Sequence, residues 1–184
     1  MNIVERVKNM LVSPKTEWPK IAAEPMTAQQ IYTNWVLILA AIGPIATIVG
    51  IGITFGFAFS IRLAIASYVV MLLMVAIVAL IVDLLAPHFG GSKDFVSALK
   101  LAAFAYTPAF VGGIFHLLGG LGGVLFIIVA LYSWYLLYLG APVLRKATAD
   151  KAVVFTIAVA IIGLLASLLL SRLTLIGTPV PGAP

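Results

Sequence analysis

Cysteine is absent from the 184-residue sequence, which excludes disulfides, thiol catalysis and thiolate-ligated metals. Charge is nearly as scarce. Only 9% of the residues are Asp, Glu, Lys or Arg, against about 25% in soluble domains. Hydrophobic residues reach 63% and the mean hydropathy is +1.20. A soluble core of this length does not need so much apolar surface, so the excess must face lipid. Catalytic signatures are missing as well. There is no HExxH, GxSxG or P-loop and no pair of carboxylates on one helical face, so neither an enzyme nor a cofactor is expected.

The net charge of +5 does not point to nucleic acid. The basic residues sit in short segments between apolar runs, where charges orient membrane spans. Glu5, Arg6, Lys8, Lys15, Glu17, Lys20 and Glu24 occupy the first 30 positions with no apolar run among them. That is unlike a signal peptide, so the first span is expected to serve as an uncleaved insertion signal.

A bilayer core of about 30 Å takes about 20 helical residues to cross. Five stretches satisfy this, at 32–54, 63–85, 97–118, 122–143 and 152–171. The glycine cluster from Gly119 to Gly123 divides a run too long for one helix and forces a hairpin. The expected fold is an all-α, five-span bundle over residues 31–172. A cytoplasmic segment (1–30) precedes it and a mobile, proline- and glycine-rich tail (173–184) follows. With the N-terminus inside, that side holds Arg6, Lys8, Lys15, Lys20, Lys93, Lys100, Arg145, Lys146 and Lys151, and the other side only Arg62 and Arg172. This bias predicts N-in, C-out.

Within residues 1–30, Ile3, Val4, Val7, Met10 and Leu11 recur on one helical face. The stripe and Trp18 suit the headgroup layer of the membrane; packing on a partner or on the chain itself is the alternative. Thr27 to Gln30 reads as a capping box that opens the first span.

The polar residues from Asp83 to Pro108 are costly near hydrocarbon, about 2.5–3.5 kcal/mol each at a span centre. Asp83 and Lys100 are expected to pair across neighbouring spans. Together with His88, Lys93, Tyr106, Thr107 and Pro108 they form the candidate polar site. Pro108 is expected to kink the third span, with the Thr107 hydroxyl taking a carbonyl so freed. Pro44 is expected to do the same in the first. Ala98, Ala102, Ala105, Ala109 and Gly112 form a stripe that lets another helix approach. Gly52 and Gly56 make a GxxxG match, weak among 16 glycines. His88 and His116 fall at opposite faces, so no metal is expected.

The blocks RVKNMLVSPKTEWPKIAAEP, LLAPHFGGSKDFVSALKLAAFAYTPAFVGGIF and LYSWYLLYLGAPVL resemble, in order, the bacterial branch of the Yip1 family. The resemblance spans nearly the whole chain. It implies a five-span bacterial inner-membrane protein with a cytoplasmic N-terminus, and no catalytic residues transfer. Eukaryotic relatives act in membrane traffic and engage Rab-type GTPases and one another. This chain has only about 30 residues ahead of its first span, which weakens the ground for GTPase binding. Two functions stay open. One is a non-enzymatic organiser that binds lipid, other membrane proteins or copies of itself. The other is a small transporter with Asp83, Lys100, Tyr106 and Thr107 lining a cavity beside the kink.

Overall fold

In the computed structural model, residues 2–118, 120–145 and 149–176 are described. Two short helices, α1 (Ile3–Val12) and α2 (Pro14–Ala23), precede five helices long and apolar enough to cross a membrane. These spans are Ala28–Phe55, Phe57–Phe89, Phe95–Leu118, Leu121–Arg145 and Lys151–Arg172. Gly119, Lys146 and the expected tail from position 177 lie outside the described residues.

The first span opens on the capping box. The Gln30 N–H donates to Thr27 Oγ1 at 3.2 Å, and the Thr27 N–H donates to Gln30 Oε1 at 2.9 Å. Residues Tyr32–Val36 form a π-helical turn, and the helix is interrupted at Ala41. The interruption follows from Pro44, whose ring collides with the carbonyl four residues back, that of Ala40. Tyr32 and Tyr68 tie the first two spans together by donating to the Leu72 and Leu37 carbonyls at 3.1 and 2.9 Å.

Gly56 alone turns the chain between these spans, at φ 90°, a conformation glycine adopts without steric penalty. The second helix therefore begins at Phe57 rather than Leu63, and exposed Arg62 is part of it. A Cβ on Gly52 would meet the Phe57 ring at 2.7 Å. Gly56 thus makes the turn, and Gly52 leaves room for the start of the second helix to pack against the first.

The third span is the centre of the bundle. Its most apolar stretch is 61% buried, against 22% for the fifth. The stripe Ala98, Ala102, Ala105, Ala109 and Gly112 is buried throughout. Small residues also set its crossing with the first span, where a Cβ on Gly113 would lie 2.6 Å from Gly43 Cα.

The Pro108 kink is closed by two hydroxyls. Proline cannot donate to the Phe104 carbonyl, and Thr107 Oγ1 donates to it instead at 2.6 Å. The Ala109 N–H finds Ser133 Oγ on the fourth span at 3.3 Å. Both backbone groups disturbed by the kink thus have partners, as an apolar medium requires.

The N-terminal hairpin folds back onto the bundle, which corrects the expected placement of its side chains. Met10 and Trp18, assigned to the membrane surface, are fully buried, and Ile3, Val7 and Leu11 are half-buried. Gly140 makes the room, because a Cβ there would meet the Trp18 ring at 2.7 Å and Leu101 at 2.5 Å. Tyr132 secures the hairpin by donating to the Leu11 carbonyl at 2.8 Å. The protein's own spans cover the stripe in part, and Val4 stays 70% exposed.

Candidate functional site

The polar residues singled out in the sequence divide into three separate groups. Asp83 does not pair with Lys100. Its Oδ1 accepts from Arg145 Nη2 at 3.0 Å and from the Asp94 N–H at 2.7 Å. Arg145 also donates to the Asp94 and Ser92 carbonyls at 2.6 and 2.5 Å, and its side chain is 1% exposed. One guanidinium thus gathers the end of the second span, the following loop and the start of the third, and the planar fork of arginine suits such a task. Asp94 caps the third span by accepting from Ser97 N–H at 3.2 Å. The Ser97 hydroxyl, more than any other group, holds the Asp94 carboxyl below its ordinary range; Arg145 adds to the effect.

Lys100 forms the second group. Its ammonium donates to the Ile21 and Glu24 carbonyls at 3.1 and 2.5 Å. These belong to the C-terminal end of α2, where carbonyls lack intrahelical donors and a cation is favoured. Lys100 is buried because it caps another helix, and a short aspartate on the second span is not its partner. Around it, the Arg6 guanidinium contacts the Glu24 carboxylate, lies 3.6 Å from Glu17 and stands over the Phe104 ring, 5.6 Å from its centroid. Glu17 is 1% exposed and also accepts from Lys20 and Asn9 at 3.0 and 3.3 Å. A cleft of about 220 Å³ opens beside this network, lined by Arg6, Glu24, Gln30, Asn34, Trp35 and Phe104.

Tyr106, Thr107 and Pro108 form the third group, halfway along the third span. Thr107 is fully buried, with its hydroxyl committed to Phe104. Tyr106 borders a largely apolar cavity between the second, third, fourth and fifth spans. His88 and Lys93 are exposed in the turn and loop before the third span. His116 lies against Phe126, ring centroids 5.6 Å apart. Among the described residues, no three His, Asp or Glu side chains converge as for a metal ion.

The organising residues that sequence reasoning missed are Arg6, Glu17, Glu24 and Arg145. Arg6 and Arg145 had been counted only as charges that orient the spans. A usable signal existed for Arg145: it directly ends an apolar run, so its stem begins in hydrocarbon and its head needs a partner nearby.

Five apolar helices with inward-facing, paired charges at one end define a multi-pass α-helical membrane protein. The chain matches the Yip1 domain model over residues 8–170 and belongs to that family. It is 28% identical to "Inner membrane protein YohC" of Escherichia coli K12 over 186 aligned positions, covering 94% of this chain and 95% of the relative. The same identity and coverage hold for the protein of that name in E. coli O6:H1 strain CFT073. No solved structure matches.

Proposed function

We propose that this protein is a non-enzymatic inner-membrane organiser. It lies with its N-terminus in the cytoplasm and acts by binding lipid and other membrane proteins, including copies of itself. The observation that carries this reading is the packing at mid-membrane. Thr107 is fully buried and its hydroxyl is used internally, so the kink borders no polar path of the kind a transported solute would need. The charges once grouped as a transport site are spent on holding the fold: Asp83 on Arg145 and Lys100 on the end of α2. The charge bias of the segments between spans supports N-in, C-out, and the name of the E. coli relative supports the inner membrane.

The lipid-facing sides of the fourth and fifth spans are the surfaces offered to partners. Their most apolar stretches are 28% and 22% buried, the lowest of the five. Leu131 and Ile161 are 64% and 56% exposed there. The chain lacks cysteine, so Leu131→Cys and Ile161→Cys each introduce a single thiol. In intact membranes, membrane-permeant bifunctional maleimide is expected to join at least one of them to a second membrane protein or a second copy. A chain that stays uncrosslinked at both positions would contradict the organising role.

A further inference from the structure

The cavity beside Tyr106 has a feature that packing does not explain. Its volume is about 280 Å³ and its walls include Met71, Met74, Tyr106, Ser133, Trp134 and Leu164. Tyr106 stands at the midpoint of the third span and Ser133 at the midpoint of the fourth; Met71 and Met74 bracket the midpoint of the second. The cavity therefore lies near the centre of the bilayer. Leu164 at its edge is 58% exposed on the lipid-facing side, so the cavity opens laterally into hydrocarbon.

At that depth the Tyr106 hydroxyl has no hydrogen-bond partner among the described residues; its recorded contacts are the rings of Phe110 and Trp134. A phenol left unpaired in hydrocarbon is costly, and buried tyrosines ordinarily find a partner. The two serines in the wall are already engaged. Ser133 takes the Ala109 N–H and donates to the Val129 carbonyl at 3.3 Å. Ser167 donates to the Leu164 carbonyl at 2.8 Å. The rest of the lining is apolar, which favours an apolar body over water.

We infer that this mid-membrane cavity binds a neutral lipophile that presents one carbonyl oxygen to the Tyr106 hydroxyl. The apolar walls receive its body and the lateral opening admits it from the bilayer. Trp134, whose ring meets Tyr106 edge-on at 6.5 Å between centroids, supplies a flat face beside the carbonyl. Depth excludes a charged headgroup. Two sources share the required chemistry: the ring carbonyl of an isoprenoid-type quinone and the ester carbonyl of a diacylglycerol. The inference rests on the cavity alone and stands apart from the organising role.

The test uses full-length protein in phosphatidylcholine nanodiscs, with decylubiquinone and dioctanoylglycerol as separate probes, and counts bound molecules by native mass spectrometry. Saturable binding of one molecule per chain is expected for at least one probe, and the probe that binds identifies the source. Tyr106→Phe keeps the ring and removes only the unpaired hydroxyl. It is expected to weaken binding about fivefold, the worth of one hydrogen bond, while the ligand-free melting temperature stays equal or rises. Non-saturable uptake of both probes would overturn the inference, as would unchanged affinity in Tyr106→Phe. A lowered ligand-free melting temperature in that variant would do the same, since the hydroxyl would then have a partner within the protein.

Discussion

Arg145→Met is expected to cost about 3–5 kcal/mol of folding stability, the range found when one partner of a buried ion pair is removed. The change leaves Asp83, with its side chain 16% exposed, facing no cation. It also strips the donor from the Ser92 and Asp94 carbonyls. Thermal unfolding of the purified protein in detergent, followed by circular dichroism, measures the loss. A double-mutant cycle makes the assignment specific. Asp83→Ala and Arg145→Met should couple by at least about 1 kcal/mol, whereas Asp83→Ala and Lys100→Met should add independently. Coupling of Asp83 to Lys100 instead would restore the pair suggested by their order along the chain.

Gly113→Ala is the second large effect, at about 3 kcal/mol, the upper part of the range for overpacking. The added Cβ would stand 2.6 Å from Gly43 Cα and 2.8 Å from its nitrogen. Both atoms are backbone, so no side chain can rotate away and the first and third spans must separate. Gly123→Ala is the control, because nothing lies within 4 Å of a Cβ there. The same thermal measurement should separate the two variants clearly. Equal melting temperatures would mean that the spans do not meet at this crossing.

How far the sequence could be read depended on the distance over which each feature is decided. The five apolar runs are set by bilayer thickness and could be counted directly. The Thr27–Gln30 box and the use of Thr107 at the Pro108 kink are settled within a few residues, and both could be derived from local chemistry. Pairing of charges is not local. Asp83 had several cations within reach on paper, and its choice of Arg145, 62 positions away, depends on how the spans assemble. Lys100 was misread for the same reason, since its acceptors are backbone carbonyls of α2 and carbonyls carry no sequence signature. The amphipathic stripe of α1 showed correctly that one face needs cover. It could not show that Gly140 leaves space for Trp18 in the bundle, and so the cover was assigned to lipid.

The central claim is that the bundle is closed to water at mid-membrane, where a transporter would need a polar path. Thr107→Cys places a lone thiol at that level, and Ser92→Cys places one in the exposed loop before the third span. Labelling both in inverted membrane vesicles, whose cytoplasmic face is outermost, with a membrane-impermeant maleimide is the direct measurement. The closed bundle predicts rapid modification at position 92 and modification at position 107 only after denaturation. Rapid labelling at position 107 in the folded protein would reveal water beside the Pro108 kink and contradict the account.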